Sequence, residues 1–363
     1  MNKTEPSPAN SAWKTGITMH SGDVAGCALG LRIGQALEQR QVLYPIRRRL
    51  RFAANEQVEA LFDRLAEEST WRTHRPEPNS VLLDGDGFFV EARGTVRAPH
   101  ACCVFHILAA SLPVAEAAAS RIKALLGPVL ITEPTFAIEW HFVTGSGMHH
   151  HAVIHELAND VLHDRAYPVL REGVRAFIDG FLAAPEAILV LQGPPGTGKT
   201  RLIRAILGTM ARRDPDAETS AMFTSDDRAL TTDEFFVNFV TGHCSALVIE
   251  DADHLLRPRA SGNECLHRFL TVADGVVRAQ GRKIIFSTNL PNIGDLDDAL
   301  IRPGRCHAHV RLRPLELSEA EELFNLLRGE SQSLPRPAFS TLASGSRSHA
   351  LADIYRAVRP ASR

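Results

Sequence analysis

Apolar and polar positions change rhythm several times along the 363-residue chain, and each change predicts a different element. Residues 1–40 mix Pro, Ser, Asn and Gly around one modest apolar stretch, Val24 to Ile33, which predicts a flexible, loosely attached segment. Val42 to Phe52 reads as a strand, and Asn55 to Glu67 sets Val58, Leu61, Phe62 and Leu65 at helical spacing. Val81 to Leu83 and Phe88 to Ala92 read as strands across the turn Asp84-Gly85-Asp86-Gly87, followed by a strand over Cys102 to Leu108. Val114 to Leu126 is helical and Phe136 to Val143 is again a strand. The order β, α, β, β, α, β is that of a ferredoxin-like split βαβ unit, so residues 41–147 are expected to form an α+β domain with two helices on one face of an antiparallel sheet. Such a module carries no chemistry of its own.

Gly145, Ser146 and Gly147 break this pattern, and residues 148–168 read as a linker. Its run Met148-His149-His150-His151 and the pair His155-Glu156 allow two readings. If the segment is helical, His151 and His155 lie one turn apart and could share a metal. The plainer reading is a polar linker, because no third ligand is spaced to close a site. The protease pattern HExxH is excluded, since Asn159 stands where the second histidine belongs.

Beyond the linker the pattern becomes that of buried strands alternating with helices. Val169 to Leu182 is helical, Ala187 to Leu191 an apolar strand, and Arg201 to Met210 a helix. Ala246 to Ile249 and Lys283 to Phe286 are further apolar strands, and Glu319 to Leu327 and His349 to Val358 are helical. Continuous apolar strands between helices predict an α/β core over residues 169–314, with further helical stretches over 315–363.

Composition adds little that is specific. With 44% hydrophobic and 23% charged residues and a net charge of −2, the chain is an ordinary globular one with no global pull toward nucleic acid or anionic membrane. Arg47, Arg48, Arg49 and Arg51 form a local basic patch. The six cysteines lack CxxC spacing, which favours a reducing, cytoplasmic setting over a zinc site or disulfide framework. No run approaches the ~18 apolar residues of a membrane span. The polar start MNKTEPSPANSAWKTG lacks a secretory core.

The chemistry is written most plainly in Gly193-Pro194-Pro195-Gly196-Thr197-Gly198-Lys199-Thr200, between the apolar strand and a helix that opens with Arg201. A Gly-rich loop at a helix N-terminus turns backbone N–H groups toward the oxygens of a nucleoside triphosphate. Lys199 would reach the β- and γ-phosphates and Thr200 would bind Mg²⁺. The acids Glu250, Asp251 and Asp253 end the next strand, where a parallel sheet presents its ligand crevice. Glu250 is assigned to Mg²⁺ through its water shell, Asp251 to orienting the attacking water, and Asp253 to support. Asn289, after the strand that follows, can hold that water or sense the γ-phosphate. Arg302 and Arg305 flank a Pro-Gly turn in DDALIRPGR and can stabilise phosphate charge, including a neighbour's.

The order GPPGTGKT, VIEDAD, FSTN, ALIRPGR resembles the AAA+ ATPases over residues 169–363. The resemblance implies an αβα P-loop NTPase core over residues 169–314 with strand order 5-1-4-3-2, a small helical lid over 315–363, ATP and Mg²⁺ as ligands, and a homo-oligomeric ring, usually a hexamer. Sites would lie between neighbours, with Arg305 as the trans-acting finger and Arg302 beside it. The reversed acid pair Glu250-Asp251 and the segment Ser225 to Val240 are similar to the subgroup of the mitochondrial AAA protein that moves a folded Rieske iron–sulfur subunit, although the N-terminal half is not. Bacterial or phage relatives are therefore the better comparison.

Ala308 replaces a second family arginine. The loop at Ser225 to Leu230 lacks the aromatic-hydrophobic-Gly signature that grips unfolded chains, and Arg347 is a weak candidate for a second sensor. The expected function is remodelling or translocation of a protein client. The alternatives are a DNA-associated motor that uses the Arg47 to Arg51 patch, or a slow ATP-gated assembly scaffold.

Overall fold

The computed structural model describes residues 24–40, 43–97, 100–213, 219–258, 266, 268–270, 281–292, 294, 296–330 and 348–358. The chain divides into two compact units at Thr132/Glu133.

The first unit contains α1 (Val24–Arg40), β1 (Ile46–Ala54), α2 (Val58–Ala66), β2 (Trp71–Glu77), β3 (Ser80–Gly85), β4 (Phe88–Arg97), β5 (His100–Ala109), α3 (Leu112–Leu126) and β6 (Leu130–Ile131). One antiparallel sheet runs β2-β3-β4-β5-β1-β6. The helical spacing in α2 buries Val58, Leu61, Phe62 and Leu65. At ~1.5–3 kcal/mol for each fully buried side chain, that face outweighs the marginal propensity of so short a helix. These residues pack with Ala115, Ala118 and Ile122 of α3 on Leu83, Val90 and Phe105 of the sheet. Leu82 and Phe89 point the other way and meet Leu29 of α1.

Strands β1 and β4 flank β5, and β5 and β6 flank β1, so the ferredoxin-like order is present as β6-β1-β5-β4 with the hairpin β2–β3 added at one edge. Two expectations are corrected. The closing strand is Leu130–Ile131 rather than Phe136 to Val143. Within the supposed flexible segment 1–40, residues 24–40 form a helix anchored on the sheet through Leu29, while residues 1–23 lie outside the described residues.

The second unit contains β7 (Thr135–Val143), β8 (His149–Leu157), α4 (Val174–Ala183), β9 (Ile188–Gln192), α5 (Lys199–Arg213), β10 (Ser220–Thr224), α6 (Asp227–Leu230), α7 (Asp233–Thr241), β11 (Ala246–Ile249), β12 (Lys283–Thr288), β13 (Cys306–Arg311), β14 (Leu315–Glu316), α8 (Leu317–Glu330), β15 (Ser348–His349) and α9 (Leu351–Val358). Its sheet runs β13-β9-β12-β11-β10-β7-β8 and is parallel from β13 to β7, with β8 antiparallel at the edge. The five strands β13 to β10 give the order 5-1-4-3-2.

Every residue of β9 is buried, because Leu189 and Leu191 face one helical layer and Ile188 and Val190 the other. This is why such strands read as unbroken apolar runs. The lid packs Leu323, Phe324 and Ile354 into the first of these layers.

The supposed boundary at residue 147 and linker 148–168 are corrected here. Thr135–Val143 finds a parallel partner in β10 and joins this sheet, and His149–Leu157 is a strand paired with it. In a strand His151 and His155 stand about 13 Å apart along the chain, so the helical metal pair does not exist. The helix expected from Val169 starts at Val174, whose N–H donates to Asp164 Oδ1 at 2.7 Å. Among the described residues no helix is long and apolar enough to cross a membrane.

Candidate functional site

The loop from Gly193 to Thr200 leaves the central strand β9 and runs into α5, so its shape is set by the sheet below and the helix behind. Gly193 N–H donates to Thr288 O at 3.1 Å, which keeps the first residue pinned to β12. A Cβ on Gly193 would stand 2.3 Å from Leu312 O, so only glycine fits this approach. Gly198 has φ 92°, and a Cβ there would meet the Tyr167 hydroxyl at 2.7 Å. That hydroxyl donates to Gly198 O at 3.0 Å, and Thr197 Oγ1 closes the turn by donating to Pro194 O at 2.8 Å.

Lys199 is 8% exposed. Its ammonium donates to Gly193 O at 2.6 Å, to Pro194 O at 3.2 Å and to Asn289 Oδ1 at 2.8 Å. Burial lowers its pKa below the ordinary lysine value, and the carboxylates of Asp251, Asp253 and Glu250 pull the other way. Thr200 donates its hydroxyl to Glu250 Oε1. The Asn289 amide also donates to Asp251 Oδ1 at 2.9 Å, so one side chain joins the loop lysine to the acid.

Asp251 holds φ 52°, the left-handed region that non-glycine residues seldom adopt and that costs on the order of 1 kcal/mol. Asp253 acts on the backbone instead. Its Oδ1 accepts from Thr288 Oγ1 at 2.6 Å and from Asn289 N at 2.8 Å, which fixes the loop carrying Asn289.

Above these groups lies a cavity of about 850 Å³ lined by Pro195, Gly196, Gly198, Lys199, Thr200, Arg201, Glu250, Asp251 and Asn289, among others. Gly193, Pro194 and Thr197 form the base of the loop beneath it, and Arg302 and Arg305 lie outside its lining. Arg302 is exposed. Arg305 donates through its guanidinium to Ala299 O, and its N–H bonds Arg302 O at 3.3 Å.

Sequence reasoning missed the far wall. Leu351, Ala352, Tyr355 and Arg356 of α9, with Asp160, Arg204 and Ser287, complete the lining. Ala352 N–H donates to Gly196 O at 3.1 Å, and the Arg201 guanidinium stands 4.0 Å from the centroid of the Tyr355 ring. Arg204 pairs with Asp160 at 2.9 Å and Glu156 at 3.4 Å. The apolar spacing of α9 announces a helix, but nothing in it says which loop the helix meets. Arg347 lies outside the described residues.

The donor set suits a nucleoside triphosphate with Mg²⁺. The Lys199 ammonium is held by loop carbonyls that phosphate oxygens can replace, and a hydroxyl and a carboxylate already touch where a hard cation would be shared. The β1 arginines make a weaker site, since Arg47 and Arg49 are exposed, Arg48 and Arg51 are half-buried, and Arg47 lies 3.2 Å from His106 Nδ1.

Residues 189–314 match the family described as ATPase family associated with various cellular activities (AAA). An AAA ATPase forming ring-shaped complexes from Rothia mucilaginosa is 30% identical over 195 residues, covering 47% of this chain and 31% of the relative. The ATP-dependent zinc metalloprotease FtsH 1 of Rhodopirellula baltica is 30% identical over 184 residues, 43% of this chain and 26% of the relative. An AAA-ATPase of Arabidopsis thaliana is 31% identical over 232 residues, 57% of this chain and 47% of the relative. The chain thus spans less than half the length of each of these relatives.

Proposed function

Residues 189–314 are an AAA ATPase domain, and from that premise we propose that the chain binds and hydrolyses ATP with Mg²⁺ at the interfaces of a homo-oligomeric ring, a hexamer in the family's usual form, and uses the cycle to remodel or move a protein client. The observation that carries this reading is the convergence of Lys199, Thr200, Glu250, Asp251 and Asn289 on one cavity whose lining excludes Arg302 and Arg305.

Lys199 exchanges its loop carbonyls for phosphate oxygens. Thr200 and Glu250 would hold the cation, Glu250 through its water shell. Asp251, steadied by Asn289, orients the attacking water and takes its proton. Bound Mg²⁺ supplies neutralisation of phosphate charge. The ring named for the Rothia relative supports an oligomer here, in which Arg305 and Arg302 of one subunit would face the nucleotide of the next.

Mixing tests the shared site. Lys199→Ala loses nucleotide binding and Arg305→Ala loses transition-state stabilisation, so each alone should be inactive. Mixed, they should regain hydrolysis, because the intact loop of one subunit meets the intact arginine of the other. Full activity in Arg305→Ala alone, or no regain on mixing subunits that co-assemble, overturns the shared site. An ATP-dependent oligomer without turnover under single-turnover conditions overturns hydrolysis itself.

A further inference from the structure

On the face of the sheet covered by α7, away from the nucleotide cavity, Glu139, His243 and Cys244 gather ligand atoms within 4.8 Å of one another. Glu139 comes from the long strand β7, and His243 and Cys244 follow the end of α7, so two separate elements contribute. His243 Nε2 lies 2.9 Å from Glu139 Oε1, and the Cys244 sulfur is buried beside Ser220 Oγ at 3.4 Å.

A second imidazole stands beside this cluster. His141 follows Glu139 by two residues, so the strand's alternation puts both on one face. It is 2% exposed, and its Nε2 has no hydrogen-bond partner among the described residues. Glu139 Oε2 stands 3.8 Å from that nitrogen, beyond hydrogen-bond reach. The other ring nitrogen, Nδ1, lies 3.2 Å from His149 Nε2. His141 thus backs the Glu139 carboxylate from the buried side, while His243 and Cys244 close on it from the end of α7.

We propose that Glu139, His243 and Cys244 form a zinc site that fastens the end of α7 to β7. An imidazole, a thiolate and a carboxylate are zinc ligands, their donor atoms lie within 4.8 Å of one another, and a solvent oxygen on the exposed side would complete the tetrahedron. The Cys244 thiol gives its proton to solvent as the metal binds. His243, on the exposed side, is the group through which the ion enters.

The test uses the full-length protein, stripped with a chelator and reloaded with zinc alone. Zinc per chain is measured by elemental analysis, affinity by competition with a chromophoric chelator, and thiolate ligation by the charge-transfer absorption of the cobalt(II)-substituted protein. The expected result is one tightly held zinc per chain and a cobalt–thiolate band that Cys244→Ser abolishes. His243→Ala and Glu139→Gln should weaken zinc by more than about 100-fold, and His141→Ala, beside the cluster, by less. His243→Ala removes an exposed side chain, so its fold is not at stake, and an unchanged melting temperature without metal checks this. His150→Ala, on the other face of β8, should bind as the parent does. Zinc retention by the parent no greater than by Cys244→Ser and His243→Ala overturns the site. Loss in His150→Ala with retention in Cys244→Ser assigns the metal to the β8 histidines and overturns it equally.

Discussion

Asp253 is the residue at which hydrogen bonding and metal binding make opposite predictions. Its Oδ1 accepts from the buried Thr288 hydroxyl at 2.6 Å and from the backbone N–H of Asn289 at 2.8 Å. Asp253→Ala deprives both donors. A hydrogen bond to a charged acceptor is worth about 1.5–3 kcal/mol, and the Asn289 donor, half open to solvent, regains part of its loss from water. The sum is about 2–4 kcal/mol.

For a unit of this size each kcal/mol shifts the melting temperature by about 2–4 °C, so calorimetry should find a fall of roughly 5–15 °C. Freed from its anchor, Asn289 no longer holds Asp251 and Lys199, and turnover should drop at least tenfold with nucleotide affinity little changed. Asp253→Asn keeps the Oδ1 acceptor and should recover stability to within about 1 kcal/mol and most of the turnover. If Asp253 served instead as a metal-binding acid, Asn would be as damaging as Ala, with the deficit in Mg²⁺-dependent nucleotide affinity. That result refutes the reasoning.

Asn289→Ala should lower kcat by about 10²-fold while the Kd for ATP rises less than tenfold, which steady-state kinetics and a fluorescent-nucleotide titration separate. Gly193→Ala places a methyl group 2.3 Å from Leu312 O, a backbone atom that cannot swing aside. Equilibrium denaturation should show a loss of about 1–3 kcal/mol, together with loss of nucleotide binding. At the start of α8, Arg313 donates to both oxygens of Glu319 at 2.7 Å and holds its carboxyl below the ordinary value of 4.5. That contribution is complete above pH 4.5 and is lost as pH falls through the lower folded value. An acid titration followed by circular dichroism should show this loss in the parent and its absence in Glu319→Gln.

The chemistry of the nucleotide half was legible because it is local. A phosphate loop needs fixed residue types in one short stretch, and the acids and Asn289 announce themselves by ending apolar strands. Legibility failed where partnership rather than pattern decides. Phe136 to Val143 reads as a strand in any setting, and only its pairing with β10 assigns it to the second unit. The histidine run, with Gly145 to Gly147 before it, looks like a linker, yet edge pairing with β7 makes it a strand. Val24 to Ile33 has too little apolar surface to predict a docked helix, although Leu29 finds a seat between Leu82 and Phe89. The α9 wall was hidden for the same reason, since it is reached across more than 150 residues of chain.

That wall bears on motion as well as on binding. The first turn of α9 is tied to Gly196 by a backbone bond, and its Tyr355 stacks on Arg201, one residue beyond the phosphate loop. In the proposed cycle, any movement of α9 away from the loop would have to break this seam. These two contacts would then couple α9 to the phosphate loop while taking no part in breaking the phosphate bond.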